Sequence, residues 1–371
     1  MSLPPIGGSN MNGIVLAPKG AGQLRLDKTT LAVAPETLVQ RIHVDRIGNG
    51  AIEAVPNNDN AEVCVDDSDI VVTGRKNGSM QIQVRALDGT NYGRTKTHTL
   101  NVTLTEMPSK TLADNSWSVI QRIVRGGFAR IAGWAPGDKI PRELSGVVGI
   151  CDTTGSYYDV LLDLDNSAAM PGHHADFGLA WYAADKTTQI TFKDAEYGGK
   201  AIAAGAFSKL TEAHNALVAQ DGLCPDWLDS DLRVTVQGFL DTIVDTELRG
   251  RITPSSRFLD VGVPGQSPRD IERLEVITDQ IWIPTAQQVG LGGYGSTPKS
   301  DRMVGRQFPV LRTNASRLTR PHNDLSGDLI DWHLASRKID DVHAHTVSTS
   351  GGLYGIFHTT VRGVRVCYTI A

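Results

Sequence analysis

Several groups of residues in this sequence could do chemistry. His173-His174 with Asp176 offers two imidazoles and a carboxylate, a donor set that suits zinc or iron. Adjacent side chains usually point apart, so at most one of these histidines joins Asp176, and a polar loop is the favoured reading. His343-x-His345 is better arranged, because alternate residues of a strand share a face. Asp340, Asp341 and His333 lie near it in sequence, but Val342 and Val347 fit an ordinary strand equally well. No metal is assigned to either group. Cys64, Cys151, Cys224 and Cys367 are far apart and form no C-x-x-C pair, so neither a zinc knuckle nor a redox motif is written here. Neither Cys151 nor Cys367 sits in a nucleophile motif, and buried free thiols are expected. Asp159, Asp163 and Asp165 could supply a glycosidase pair only at a separation that sequence does not give.

A recognition surface has more numerous indicators. Tyr294, Trp332, Tyr354 and Phe357 lie in or beside stretches rich in Gly, Ser, Thr and His. Aromatic anchors among small polar residues are the composition of adaptable binding surfaces. The candidate surface is therefore Tyr294, His343, His345, Tyr354 and His358, displayed over a loop from about Asp340 to Thr360. Core filling competes with this role for Trp332 and Phe357, less so for Tyr354 between Gly352 and Gly355. Gly290-Leu291-Gly292-Gly293-Tyr294-Gly295 lacks the strand-to-helix context and the Lys-Ser/Thr of a phosphate loop, which makes it a surface loop. No catalytic residue and no cofactor is assigned.

The elements that must position these residues are mostly strands. The chain has 371 residues with 38 Gly and 17 Pro, a composition that favours turns and short strands. Its length allows two or three domains, and its balance of 40% hydrophobic and 21% charged residues is that of a globular protein. A net charge of −5 gives no electrostatic reason to expect nucleic acid. No apolar run reaches the ~18 residues of a membrane span. The N-terminus lacks a basic stretch followed by an apolar one, so no export signal is read there.

Residues 1–23, rich in Gly, Pro, Ser and Asn, are expected to form an extended arm docked on a neighbouring subunit. From 24 to 106 the pattern is that of short strands. Met80, Ile82 and Val84 alternate with polar residues, as do Leu100, Val102 and Leu104, and Asn77-Gly78 and Asp88-Gly89 are turn dipeptides. A small sandwich is the economical solution. Residues 107–116 are read as a linker and 117–371 as one larger domain. In that domain Val119, Ile120, Ile123 and Val124 predict one face of a helix, and Tyr157–Leu164 predicts a strand. Helical spacing recurs over 205–220 and 225–244. Residues 250–273 read as a polar loop, 273–283 as strand, and 284–289 as a short helix with Pro in its first turn.

The segment from Leu31-Ala32-Val33-Ala34-Pro35-Glu36-Thr37 through Ser68-Asp69-Ile70-Val71, Gly78 and Met80–Val84 resembles a bacterial immunoglobulin-like domain of the group found in adhesins and phage virion proteins. The larger domain resembles an uncharacterised family common in phage structural proteins and Firmicutes surface proteins. The residues carrying that likeness are Gly137-Asp138, Tyr158–Asp165, Ile281-Trp282-Ile283-Pro284-Thr285, Trp332-His333-Leu334-Ala335-Ser336 against a W-L-R-S signature, and Gly363-Val364-Arg365 against a closing G-V-R-P. Val366 stands where that family has its final Pro. The ending also resembles the C-type-lectin-like fold, in which a terminal G-x-R strand closes a display domain.

These likenesses imply an all-β immunoglobulin-like sandwich followed by a larger α+β, C-type-lectin-like domain with antiparallel strands. The function they imply is that of a phage virion structural protein, in the tail tip or fibre, the baseplate or a capsid decoration. Such a protein, made in the bacterial cytoplasm, assembles as a homo-oligomer with other virion proteins, and a host surface glycan is a further partner. A carbohydrate-binding adhesin or receptor-binding protein is the second reading and a surface-glycan hydrolase the third. No enzymatic activity is expected.

Overall fold

The computed structural model describes residues 23–47, 50–86, 97–148, 151–164, 190–194, 200–201, 203–205, 227, 230–260, 274–286, 288–291, 308–318, 320–321, 331–337, 343–357 and 362–370. Residues of the expected arm before Gln23, the His173-His174-Asp176 group, Cys224, Tyr294, His358 and all but Gly205 of the helix expected over 205–220 lie outside them. The chain divides into two compact units, 1–107 and 108–371. Strands in antiparallel sheets dominate both, with few helices. Among the described residues no helix is long and apolar enough to cross a membrane.

Among the described residues the first unit has eight strands: β1 (Gln23–Leu26), β2 (Thr30–Val33), β3 (Val39–Ile47), β4 (Ile52–Pro56), β5 (Ala61–Asp66), β6 (Asp69–Gly74), β7 (Gly78–Ala86) and β8 (His98–Leu104). They form two four-stranded sheets, β1-β3-β6-β5 and β2-β8-β7-β4. All pairs are antiparallel except β2 with β8. One core lies between the sheets, with Ile42, Ile70 and Val72 from the first and Met80, Ile82, Val84, Leu100 and Val102 from the second. The alternation read along β7 and β8 is therefore the inward face of a sandwich. The same alternation turns Cys64 outward on β5, an edge strand, so this thiol is exposed rather than buried as expected. Cys367 is buried, in line with expectation.

The second unit begins earlier than expected. Residues 108–116, read as a linker, are built into it: Leu112 is buried, and Asn115 exchanges hydrogen bonds with Ser109 while also donating to the Thr111 and Leu112 carbonyls. A helix over Trp117–Arg125 follows, N-capped by Ser116, with Ile120, Ile123 and Val124 buried. Its indole Trp117 Nε1 donates to Asp245, which in turn caps the helix Thr246–Arg251.

A sheet of six strands organises this unit. Along it run Ile252–Thr253, Cys367–Ile370, Ile190–Asp194, Gly155–Asp163 and Lys139–Leu144, and Ile281–Trp282 also pairs with Cys367–Ile370. The last strand of the chain is thus interior, paired on both sides and buried at every residue. A second, five-stranded sheet contains Ala203–Gly205, Arg362–Val364, Trp332–Arg337, His343–Val347 and Leu353–Phe357. Only Arg365 and Val366 separate Val364 of this sheet from Cys367 of the other.

Three sequence expectations change here. Residues 250–273 were expected to be loop, yet Ser255–Asp260 pairs as a strand with Leu274–Asp279. Of the helix expected over 284–289, the described residues 284–286 and 288–289 are not helical, because Gln288 and Thr285 hydrogen-bond each other's backbone amides and the Pro284 carbonyl accepts from Ala335. Within the expected loop over 340–360 the described residues form two strands joined by a hairpin turn at 348–352.

Candidate binding surface

His343–Val347 and Leu353–Phe357 pair in antiparallel register, with His345 opposite Gly355, Thr346 opposite Tyr354 and Val347 opposite Leu353. Cross-strand partners share a face and successive residues do not. Val347 enters the core with Leu162, Trp282, Phe308, Leu311 and Leu334, and Leu353 packs against the same cluster. Position 345 is on the face of Val347, and the His345 side chain is only 5% exposed. Position 354 is on the opposite face, and Tyr354 is 57% exposed.

The hairpin consequently divides the proposed surface. Tyr354 faces solvent, whereas His345 is withdrawn from it, as is His333 on the neighbouring strand. His343 pairs with Phe357 through the backbone, and their side chains are outside the described residues, as is that of Trp332. Among the described residues no three His, Cys, Asp or Glu side chains are grouped to hold a metal. The turn that precedes Leu353 and Tyr354 holds small hydroxyl residues, Ser348, Thr349 and Ser350.

That turn is tied down on several sides. Ser348 N–H donates to the Gly352 carbonyl and Gly351 N–H to the Ser348 carbonyl, each at 2.8 Å. Thr349 N–H donates to Asp331 Oδ1 at 3.0 Å, and the other carboxylate oxygen faces Arg362 at 3.7 Å. Gly351 has φ +79, and a Cβ there would collide with the backbone of Asn314 in the short helix Asn314–Arg317. Only glycine meets both the left-handed backbone and the close approach.

Arg317 sits beneath the turn and is 4% exposed. Its Nε donates to the Val289 and Leu311 carbonyls at 2.6 and 3.1 Å. One terminal nitrogen reaches Asn314 Oδ1 at 2.7 Å and the Gly351 carbonyl at 3.3 Å, and the other reaches the Arg312 and Gly290 carbonyls at 3.2 and 3.4 Å. It therefore joins the hairpin turn to the carbonyls of Val289 and Gly290. The sequence does not single out Arg317, because a lone arginine after Asn314-Ala315-Ser316 carries no periodic or motif signal. The local cue is Thr313 with Ser316, which form a reciprocal capping box at the start of that helix.

Asp159, weighed as a catalytic carboxylate, is fully buried. Arg142 Nε donates to it at 2.8 Å and the Tyr368 hydroxyl donates to Oδ2, joining the strands Lys139–Leu144, Gly155–Asp163 and Cys367–Ile370. The Arg142 guanidinium lies over the Phe239 and Tyr157 rings, 4.8 and 5.3 Å from their centroids. Burial pushes the Asp159 carboxyl above its ordinary value, against the opposing pull of Arg142 and Tyr368. Enclosed in this way, the carboxyl joins strands. No protein-family model matches the chain, and no curated protein matches it.

Proposed function

We propose that this chain is a structural protein of a phage particle, an immunoglobulin-like module in series with a C-type-lectin-like display domain. It assembles with other virion proteins as a homo-oligomer and is not an enzyme. The first unit's strand order supports the module: β1-β3-β6-β5 opposite β4-β7-β8 matches the ABED and CFG sheets of an immunoglobulin sandwich, with β2 added beside β8. For the second unit, the buried strand Cys367–Ile370, paired on both sides and following Gly363-Val364-Arg365 after one residue, supports the lectin-like reading.

The observation that carries the display role is the exposed Tyr354 on a hairpin whose turn is anchored from below. An exposed aromatic ring on the strand that leaves a turn of Ser348, Thr349 and Ser350 also favours the second reading, attachment to a host-surface glycan, since such rings offer an apolar face among hydrogen-bonding groups. Deletion of the gene and complementation separate the two roles. Loss of the chain abolishes infectious particles, whereas Tyr354→Ala restores particles that adsorb to host cells at least about tenfold less, the loss of one anchoring side chain. Normal particles without the chain contradict the structural role. Unchanged adsorption by Tyr354→Ala, with a silent glycan array, contradicts attachment through this hairpin.

A further inference from the structure

We infer that the guanidinium of Arg317 is the resident cation of the hairpin turn, holding residues 348–352 in one geometry before any partner arrives. Its functional meaning rests on the hairpin being a display surface, whereas its test reads the turn alone. Six oxygens accept from this one side chain, five of them backbone carbonyls, of Val289, Gly290, Leu311, Arg312 and Gly351. The sixth is Asn314 Oδ1. Carbonyls converging from separate loops are the usual surroundings of a hard metal ion. Here the positive charge is covalently attached and planar, and its donors match acceptors in several directions at once.

The backbone from which Arg317 reaches is itself held. Arg365, fully buried between the two sheets, donates to the Ser316 and Arg317 carbonyls at 3.3 and 3.4 Å. A chain of contacts thus runs from the closing Gly363-Val364-Arg365 segment, through the helix Asn314–Arg317, to Gly351. The closing arginine thereby fixes the platform under the turn. A turn set in advance loses less conformational freedom when a ligand is bound.

Amide hydrogen exchange on the full chain tests this. Arg317→Lys keeps the charge but replaces the fork with a single ammonium. The expected result is exchange at Thr349 and Gly351 faster by at least about tenfold, the effect of losing hydrogen bonds to a charged group. Amides of Cys367–Ile370 keep their protection. In Arg317→Ala, guanidinium chloride well below denaturing concentrations restores the slow exchange and equal potassium chloride does not. Unchanged exchange at the turn in Arg317→Lys overturns the proposal. So does a loss of protection equal throughout 108–371, which would make Arg317 an ordinary core residue. If Arg317→Ala does not fold, the lysine variant decides alone. A turn that loosens in Arg317→Lys while host adsorption stays normal upholds the cation role and counts against the display reading.

Discussion

At the scale of single residues, the buried charges behave differently from the exposed ones. Asp159 shares its site with Arg142 and Tyr368, and all three are buried. Asp159→Asn leaves the Arg142 cation without a counter-charge and is expected to cost about 3–5 kcal/mol of stability in denaturant unfolding. Replacing the group together, Arg142→Met with Asp159→Leu and Tyr368→Phe, is expected to cost less than the single change. A smaller loss from Asp159→Asn than from the triple variant would contradict the pairing. On the sandwich, His43 is exposed and its Nδ1–H donates a hydrogen bond to Asp69 Oδ1 at 2.8 Å, which raises its pKa above the ordinary 6.5; nearby carboxylates act in the same sense. A raised folded value means that this pair's stabilisation is complete below the unfolded pKa and is lost as pH rises through the folded one. An NMR titration should place the His43 midpoint above that of an unstructured histidine, and Asp69→Asn should lower it. A midpoint that ignores Asp69→Asn would show that the two side chains are not coupled.

At the scale of elements, the hairpin and the closing strand carry the design. Gly351→Ala forces a side chain into a left-handed position against Asn314 and is expected to destabilise the protein by about 1–3 kcal/mol. Gly352→Ala, where the added carbon meets only serine hydroxyls at 3.8 Å, serves as the control and should cost much less. Period-two alternation makes β7 and β8 legible from sequence, because one-sided burial writes itself into the residue order, whereas Gly155–Asp163 is legible from its run of aromatic and branched apolar residues. His343–Val347 is marked only weakly, by the His343-x-His345 spacing and by Val342 and Val347, which fit a strand. Ala344, His345, Thr346 and Val347 are all buried, so covering on both faces erases the alternation that would mark a strand. Pro284–Val289 misleads in the opposite sense, since Pro in a first turn suits a helix, but Thr285 and Gln288 claim the amides locally. Arg317 and Arg365 are illegible because their partners are carbonyls, and any residue supplies a carbonyl.

At the scale of the whole molecule, each unit encloses its own core. The sixteen buried residues of the first cluster all come from β1–β8. Residues 23–107 expressed alone are therefore expected to fold, with a cooperative thermal transition and a strand-rich circular dichroism spectrum. A disordered fragment would contradict the division at Met107. The second unit should not tolerate loss of its end, because Cys367–Ile370 pairs with three other strands and supplies Tyr368 to Asp159. The proposed role follows from this arrangement of two self-contained β-rich units, the second presenting an anchored hairpin. The most direct test is quantitative mass spectrometry of purified virus particles from the host that makes this chain. The account predicts the chain in every preparation, at a fixed copy number that is a multiple set by the particle's symmetry. Its absence from the particles, with the protein abundant in the lysate that produced them, would contradict that account.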